Sequence, residues 1–432
     1  MPQIRPGLGC SPTEEPLISP PSAPAEIPRT PPRPDALGPT TRTLRPQPWL
    51  TGPEAVAEQI PRMLVVTNDF PPTFGGVQQY VYNLVANLPA DRITVLAPAA
   101  DGASRFDDAQ RFEVVRDRLS TLRPSYRVAR VVKSLIRTRR IDVVVFGHAL
   151  PLALLGPRIA KRGTPYVVCT HGREYWMALL PGTAEALRLA TSQASRVFAI
   201  TRATARTIVS AVPARVPVSL LPPGVDVERF HPGREAFDVR GRHALGDGPL
   251  ILAPSRLVPR KGHDVLLKAM PFLIDAVDAN LVIVGQGPCE GPLRRLASAL
   301  PSSRVAFASA VSDATLPRYY AAADLVAVPC RSRYLGFEVE GFGIVYLEAA
   351  ASGKPALAGR SGGTDEAVVD GATGLLVDGS SVDDVVDATI QLVGNPDVSA
   401  AMGRAGRRRA EQGFAWPRLS SAFASALREA TT

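Results

Sequence analysis

Short apolar runs alternate along this chain with longer stretches of helical period. Ten such runs stand out, in chain order MLVVTN, ITVLAP, IDVVVFG, YVVCTH, RVFAIT, LILAPS, NLVIVG, RVAFAS, LVAVPC and PALAG. Amphipathic stretches accompany them, such as GVQQYVYNLVANL, HDVLLKAMPFLIDAV and DDVVDATIQLV. Continuous apolar strands joined by helical crossovers are typical of a parallel sheet covered on both faces. The pattern therefore predicts a doubly wound α/β protein.

The series breaks once, at PPGVDVERFHPG (residues 222–233), and then restarts. Since one core rarely grows past about 250–300 residues, the 432-residue chain should form more than one domain. We predict two Rossmann-like domains facing a cleft, residues 63–232 and 233–415, and a C-terminal amphipathic helix, residues 416–432. Ligands of open parallel sheets bind beyond the carboxyl ends of the strands, so the loops after the strands are the candidate functional segments.

The first 62 residues differ from the rest, with proline every few positions and few large apolar side chains. Such a segment cannot offset its ordering entropy, so we predict a disordered tail. A second interpretation is that Met63 is the true start and the tail is not translated. The tail has no signal-peptide pattern.

The composition of the chain limits the classes of partner that it is expected to bind. The net charge of +9, from 49 basic and 40 acidic residues, favours anionic partners such as phosphates, acidic lipid or nucleic acid. Basic stretches interleaved with aromatics are absent, so no nucleic-acid partner is predicted. Four widely spaced cysteines fit a reducing compartment and no zinc site. No apolar run reaches the roughly 18–20 residues of a membrane span, so we expect a protein that is soluble or bound at a membrane surface.

Gly75 and Gly76 follow the first strand and precede a helical stretch. Glycine lets backbone approach a ligand, and the helix start offers free N–H groups to an anion. The alternative is a tight turn without a ligand, and the GxGxxG fingerprint is absent.

In the second domain, Arg256 and Lys261 follow LILAPS and could hold a diphosphate, although a solvated basic loop is the alternative. After LVAVPC, Glu340 precedes Gly341-Phe342-Gly343, a second candidate anion site at a helix start. Glu348 completes an E-x7-E spacing and could accept hydrogen bonds from a ribose, or be an ordinary surface residue of the helix. Glu340 could accept from a sugar.

The segments RLVPRKG, EVEGFGIVYLEA and SGG resemble the retaining glycosyltransferases of the GT-B fold, family 4. TNDFPPTFGGVQQY, LPLALLG, THGREYWMALLPG, LPPGVDVERFHP and SRLVPRKGHDVLLKAMP are similar to one branch, the GDP-mannose-dependent phosphatidylinositol mannoside mannosyltransferases that form α-1,6 linkages. The resemblance covers residues 63–432. It implies transfer of mannose from GDP-mannose to an anionic phosphatidylinositol mannoside-type lipid by a cytoplasmic protein, peripheral at the inner face of the cell membrane.

The resemblance also implies roles, with residues 63–232 on the acceptor side and residues 233–415 binding the nucleotide sugar. Arg256 and Lys261 would hold the donor diphosphate together with the Gly75–Gly76 backbone. Glu340 would contact the transferred sugar, and Glu348 the nucleoside ribose.

His171, which ends YVVCTH, would face the sugar across the cleft, although a histidine after a strand is also an ordinary structural residue. Two departures border the acceptor side. Arg173 stands where the branch tends to have histidine, and Tyr334, Leu335 and Phe337 stand where more glycine is expected.

No Asp-x-Asp motif or metal-spaced cluster is present, so we expect neither a metal nor another cofactor. In the family, the acceptor hydroxyl is thought to enter on the face from which GDP leaves, and phosphate oxygen takes the proton. Catalysis would then rest on positioning and charge stabilisation.

One stretch bears independently on the acceptor. Residues 123–140 predict a helix with a basic side and an apolar side, formed respectively by Arg127, Arg130, Lys133, Arg137 and by Val128, Val131, Val132, Leu135. Such a helix can lie on an acidic bilayer. The alternative is a crossover helix packed on its sheet with its arginines in water.

Other functions stay open at this point. A GT-B glycosyltransferase could use a UDP- or ADP-sugar and a soluble or different lipid acceptor. A sugar-nucleotide epimerase shares the two-domain fold, but it should carry ionisable residues for water or proton chemistry at the cleft rather than the E-x7-E spacing. The oligomeric state is not predicted.

Overall fold

The computed structural model describes residues 60–431 apart from residues 74, 173 and 310, and it describes only the backbone of residues 175 and 335. Residues 1–59 of the predicted disordered tail therefore lie outside the described residues. Arg173 and the side chain of Leu335, two of the departures from the branch, also lie outside them.

Thirteen strands of the described chain form two parallel sheets. Their bounds are β1 Met63–Val66, β2 Ile93–Ala97, β3 Glu113–Arg116, β4 Val143–Phe146, β5 Tyr166–Thr170, β6 Arg196–Ala199, β7 Val218–Leu220, β8 Leu250–Pro254, β9 Asn280–Val284, β10 Val305–Ala308, β11 Leu325–Val328, β12 Ala356–Gly359 and β13 Gly374–Val377. Nine of the thirteen are buried at every position, because helices cover both faces of each sheet.

Helices connect most of the strands, as the period of the sequence predicts, and three more follow β13. Their bounds are α1 Gly76–Ala86, α2 Ala103–Asp108, α3 Tyr126–Thr138, α4 Gly156–Ala160, α5 Glu174–Met177, α6 Pro181–Thr191, α7 Arg202–Ile208, α8 Val239–His243, α9 His263–Val277, α10 Glu290–Ala297, α11 Leu316–Ala322, α12 Ile344–Ala351, α13 Thr364–Ala367, α14 Val382–Val393, α15 Pro396–Arg409 and α16 Trp416–Thr431.

Both sheets are wound outward in two directions from a central pair of strands. The first has the order β3-β2-β1-β4-β5-β6-β7 and the second β10-β9-β8-β11-β12-β13. Strand order therefore reverses between β1 and β4 in the first sheet and between β8 and β11 in the second. Ligands of doubly wound sheets bind in the crevice at these switch points. The predicted fold class is confirmed.

Two backbone segments connect the sheets and touch each other. The first runs from the end of β7 to α8, and the second from α15 to α16. The Val225 N–H donates to the Phe414 carbonyl at 2.8 Å, and the Trp416 N–H donates to the Val225 carbonyl at 3.3 Å. The paired segments form the connection between the two sheet domains.

The last helix, α16, returns to the first domain. Phe423 packs edge-on against Phe198 of β6, with ring centroids 5.3 Å apart, and Trp416 packs against Tyr80 of α1 at 5.8 Å. Arg196 also bonds Glu429 at 2.7 Å. The helix that follows the second domain therefore completes the core of the first.

Helix α3 is a crossover helix packed on its sheet. Val128, Val132 and Leu135 are buried, so the apolar face is not available to a membrane. The Arg127 guanidinium binds both carboxylate oxygens of the buried Asp117, at 2.8 and 2.9 Å. Arg127 is nevertheless exposed, as are Arg130, Lys133 and Arg137, and these last three form no ion pair with a described residue.

No helix in the described part of the chain combines the length and the apolar character that crossing a membrane requires.

Candidate functional site

A buried ion pair lies at the switch point of the second sheet. Lys261, in the loop after β8, places its Nζ 2.8 Å from Oε2 of Glu340, in the loop after β11. Both side chains are more than nine-tenths buried. The Arg331 N–H also donates to the Arg260 carbonyl at 2.8 Å, which ties the two loops together. Two predicted site residues, far apart in sequence, therefore form one unit.

Two arginines lie in the same loop as Lys261. Arg260, which the spacing of the motif did not point to, places a guanidinium nitrogen 3.8 Å from Oε2 of Glu340. Arg256 is exposed, and no hydrogen bond or ion pair joins its side chain to any residue that the structure describes. Its five N–H donors are therefore available to an anionic ligand. Lys261 has three donors and can bind Glu340 and a phosphate oxygen together.

Opposing effects set the charge of Glu340. Burial raises the pKa of its carboxyl, but Lys261 and Arg260 outweigh burial and hold the pKa below its ordinary value. Glu340 is therefore ionised at neutral pH, and it accepts hydrogen bonds but does not donate a proton. The Glu340 N–H donates to Ser361 Oγ at 3.1 Å, which fixes the loop from behind.

The glycines after Glu340 shape the start of α12. Gly343 has φ +91°, a left-handed conformation, and a Cβ there would collide with the Tyr346 ring. The Phe342 side chain is buried and packs against Phe414, with ring centroids 5.8 Å apart. Only the backbone of Gly341-Phe342-Gly343 is thus available to a ligand.

Glu348 lies on α12 and meets a buried tyrosine. The Tyr320 hydroxyl of α11 donates to Glu348 Oε2 at 2.6 Å. Burial raises the pKa of Glu348 to about 7, although this hydrogen bond and Arg229 act in the opposite direction. Burial likewise raises the pKa of Tyr320 well above its ordinary value, so the tyrosine remains a donor.

In the first domain, α1 begins at Gly76, directly after the Gly75 cap. Apart from its chain neighbours and the backbone of its own helix, no described residue has an atom within 4 Å of where a Cβ at Gly76 would lie. Gln78, in the first turn, donates from Nε2 to Asp69 Oδ1 at 2.7 Å and fixes the loop that leads into the helix.

His171 is buried at the end of β5. Its Nε2 lies 2.6 Å from the Gly147 carbonyl, to which it must donate, and its backbone N–H donates to Glu174 Oε2 at 2.9 Å. Burial first, and His148 second, lower the pKa of His171 to about 3, so the ring is neutral. The Nε2 of His171 is therefore already hydrogen-bonded within the first domain.

The backbone at His171 is what meets the second domain. A Cβ on Gly172 would lie 3.6 Å from Cα of Gly341, and a Cβ on Gly341 would lie 3.5 Å from the His171 carbonyl oxygen. Farther along, the Arg202 N–H donates to Glu366 Oε1 at 2.6 Å. The structure thus brings His171 beside the Glu340 loop.

Several residues of this region carried no signal in the sequence. Tyr320 lies in a helix whose apolar pattern does not separate it from core residues. Asp69 and His148 follow β1 and β4, and only the strand order shows that these loops are neighbours. Arg260 adjoins Lys261 and could have been included with it.

Tyr334 and Phe337, two of the residues that depart from the branch, are solvent-facing. Tyr334 is 64% exposed and Phe337 is 50% exposed, in the loop between β11 and Glu340.

Among the described residues, no group of three or more His, Cys, Asp or Glu side chains could hold a metal ion. The expectation of metal-free catalysis stays a prediction.

Known families match both domains. Residues 74–229 match the family described as Glycosyltransferase Family 4, and residues 237–409 match Glycosyl transferases group 1.

Curated relatives are similar over most of the chain. The GDP-mannose-dependent alpha-(1-6)-phosphatidylinositol monomannoside mannosyltransferase of Mycolicibacterium smegmatis is 43% identical over 373 residues, 84% of this chain and 98% of that one. The GDP-mannose-dependent monoacylated alpha-(1-6)-phosphatidylinositol monomannoside mannosyltransferase of Corynebacterium glutamicum is 41% identical over 362 residues, 82% of this chain and 94% of that one.

Solved structures support the fold. Anabaena Alr3699/HepE, crystallised in complex with UDP, superposes with a TM-score of 0.71 over 85% of this chain and 99% of that one. At 20% identity, this likeness concerns the fold alone.

Proposed function

This chain belongs to the family 4 glycosyltransferases of the GT-B fold, and on that premise we propose that it transfers mannose from GDP-mannose to a phosphatidylinositol mannoside-type lipid. Retention of the anomeric configuration, action at the membrane surface and independence of metal are parts of the proposal. The observation that carries it is the buried Lys261–Glu340 pair at the second switch point, with Arg256 in the same loop as Lys261 and its side chain bonded to no described residue. The choice of donor and acceptor rests on the names of the relatives described above.

The donor fits the second domain as follows. Arg256 and Lys261 bind the diphosphate, and N–H groups at the start of α12 add dipoles of the same sign. Ionised Glu340 accepts hydrogen bonds from hydroxyls of the mannose. Glu348 accepts from the ribose through the oxygen that does not bind Tyr320.

Catalysis follows from these positions. As the bond between mannose and GDP breaks, negative charge grows on the diphosphate, where Arg256 and Lys261 already lie. Preorganised donors stabilise that charge without reorganising. The acceptor hydroxyl enters on the same face, forms the new bond to the anomeric carbon, and gives its proton to a phosphate oxygen of the leaving GDP. The cations thus take the place of a metal ion.

The membrane part of the proposal rests on charge alone. With the apolar face of α3 buried, attraction to anionic lipid comes from the exposed Arg130, Lys133 and Arg137. Each basic side chain near an anionic surface contributes about 1 kcal/mol, and salt screens the attraction. We place the protein on the cytoplasmic face of the cell membrane, where an anionic acceptor lipid would be exposed.

The test is a transfer assay. Purified protein, GDP-mannose and phosphatidylinositol monomannoside in anionic vesicles are incubated with EDTA, and the product is measured by mass spectrometry. Proton coupling at the new anomeric centre reports retention. UDP- and ADP-sugars serve as parallel donors. Transfer from another donor only, or a need for divalent metal, would contradict the corresponding part of the proposal.

A further inference from the structure

A cavity of about 470 Å³ lies between the two sheet domains, apart from the ion pair at the second switch point. The first domain contributes Ile200, which follows β6, and Leu220 of β7, and the second contributes Phe342 and the turn after α15. Among the described residues, those that line the cavity include none of the charged side chains assigned to the donor. Its volume is that of an ordinary pocket for a small ligand.

The walls of the cavity are apolar and partly aromatic. Ile200 and Leu220 line it from the first domain, and Phe342 and Phe414 line it from the second. The rings of Phe342 and Phe414 pack together with centroids 5.8 Å apart and planes inclined at 57°. A further ring can extend such a cluster by offset or edge-on packing. The walls therefore favour a ligand with an aromatic body.

Five charged residues also line the cavity, three arginines and two carboxylates, namely Arg202, Arg408, Arg409, Asp365 and Glu366. Two of the five already have partners. The Arg409 guanidinium donates to two backbone carbonyls of α13, at 2.6 and 3.0 Å, and lies over the Phe414 ring. Oε1 of Glu366 accepts from the Arg202 backbone N–H at 2.6 Å, across the domain interface.

The guanidinium groups of Arg202 and Arg408 are available to a ligand. Both side chains are exposed, and no hydrogen bond or ion pair joins either of them to a residue that the structure describes. Arg202 belongs to α7 of the first domain and Arg408 to α15 of the second. Asp365 is also exposed and unpaired within the described ranges. The five residues together carry one excess positive charge, which a single negative charge would balance.

Phe342 connects this cavity to the donor loop. Its ring forms part of the cavity wall, while its backbone lies between Gly341 and Gly343 at the start of α12. The same loop meets the first domain, since a Cβ on Gly341 would lie 3.5 Å from the His171 carbonyl oxygen. A ligand against the Phe342 ring would therefore contact the donor loop from behind and hold it against the first domain.

We propose that this cavity is a regulatory site for an organic monoanion with an aromatic body. The charged group contacts Arg202 and Arg408, and the ring packs against Phe342 and Phe414. Because the ligand bridges both domains behind the donor loop, it raises the affinity for GDP, and GDP raises the affinity for the ligand by the same factor. This coupling rests on the proposed function, since it assumes that the start of α12 binds the donor.

The test is calorimetric titration of the full chain with 2-naphthoate, an aromatic carboxylate, in the absence and presence of GDP. We expect naphthoate to raise GDP affinity at least about fivefold. The uncharged 2-naphthamide should bind at least about tenfold more weakly, because hydrogen bonds to charged groups are the stronger kind. Arg202→Gln combined with Arg408→Gln should weaken naphthoate binding as much and abolish its effect on GDP. Ala405→Trp, which places a large side chain on the cavity lining, should block naphthoate by volume.

Arg206→Gln combined with Arg404→Gln is the matched control, because it removes two exposed arginines from the same two helices outside the cavity lining. It should change neither affinity. The inference would be overturned by absent naphthoate binding, by equal binding in the Arg202 and Arg408 double variant, or by a GDP affinity that naphthoate does not alter. A wild-type protein that binds naphthoate as expected but binds no GDP would instead contradict the proposed function.

Discussion

Lys261 and Glu340 share one buried ion pair, with 2.8 Å between Nζ and Oε2, although they belong to loops after different strands. Their proposed roles, one toward the diphosphate and the other toward the sugar, are therefore coupled. A change at either residue leaves a buried charge without its partner. Arg256 has no such partner, so the two cations should respond differently to removal.

Arg256→Ala should lower the transfer rate about 10²–10³-fold, the usual effect of removing one preorganised donor. The melting temperature should not change, because the side chain is exposed and unpaired. Lys261→Ala should lower the transfer rate by a similar factor. It should also lower the free energy of unfolding by roughly 3–5 kcal/mol, because Glu340 stays buried and charged. Steady-state kinetics and thermal melts measure both effects.

The double variant Lys261→Ala with Glu340→Gln separates stability from catalysis. It removes both charges, so it should recover much of the stability and none of the rate. Lys268→Ala, an exposed position on α9, is the control. Equal melting temperatures for Lys261→Ala and Arg256→Ala would contradict the buried pair.

Glu348 should make the ligand-free protein less stable as pH rises. Its pKa is about 7 in the folded chain, against an ordinary value of 4.5, so the folded state retains a proton that the unfolded state has released. The associated stability is fully present below pH 4.5 and is lost as pH rises to about 7. Glu348→Gln should therefore melt above wild type at pH 8, by a margin that shrinks toward acid.

Melting temperatures from pH 5 to 8.5 test this dependence, with the exposed Glu235→Gln as control. A margin that is independent of pH would refute it. GDP should stabilise Glu348→Gln less than wild type, since the amide is a weaker acceptor for ribose hydroxyls.

Binding to anionic vesicles should depend on Arg130, Lys133 and Arg137. Replacing all three with glutamine should weaken vesicle binding and leave GDP affinity unchanged, because they lie on the surface of α3. Cosedimentation at increasing salt measures the difference in vesicle binding between the variant and the wild type. This difference should disappear as salt screens the attraction between the wild-type protein and the vesicles. Replacing Lys268, Arg295 and Arg404 with glutamine removes the same charge from the second domain, and an equal loss there would exclude a specific role for α3.

Arg127 should behave differently from its neighbours on α3. Its ion pair with the buried Asp117 predicts that Arg127→Gln lowers the melting temperature with little effect on vesicle binding. A large loss of vesicle binding at unchanged stability would contradict this.

A chain that starts at residue 60 should be more stable than one that starts at Met63. Ile60 is buried in the core, and the Arg62 carbonyl accepts from the Asp142 and Val143 N–H groups at 2.8 and 3.2 Å. Burying an isoleucine side chain contributes about 1.5–3 kcal/mol. Thermal melts compare the two chains, each with an initiating methionine, and equal melting temperatures would show that residues 60–62 contribute nothing.

The sequence predicts the centre of each sheet better than its edges. All ten predicted runs are strands, whereas β3, β7 and β13 were not recognised, and each of these is at the edge of its sheet. Edge strands are covered less completely, so their sequences need not be apolar throughout. EVVR of β3, partly exposed at every position, shows the difference.

The candidate site likewise has parts that the sequence predicts and parts that it does not. Glu340, Lys261 and Arg256 could be proposed from charge and spacing beside glycine, because those local features have a chemical meaning. The ion pair between Lys261 and Glu340 could not be predicted from the sequence, since it depends on which strands are neighbours in the sheet. The role of α3 was ambiguous for the same reason, because an apolar face looks alike whether it covers a sheet or a bilayer.

The return of α16 to the first domain has a consequence during protein synthesis. The ribosome delivers the first sheet before the second domain, but Phe423 and Glu429, which complete its packing, emerge only after that domain. Domains usually fold as they appear, N-terminal first. Here the first domain must wait, with the surface around Phe198 uncovered, until the whole second domain has left the tunnel. A stop codon between the second domain and α16 would therefore damage the sheet domain encoded farther from it.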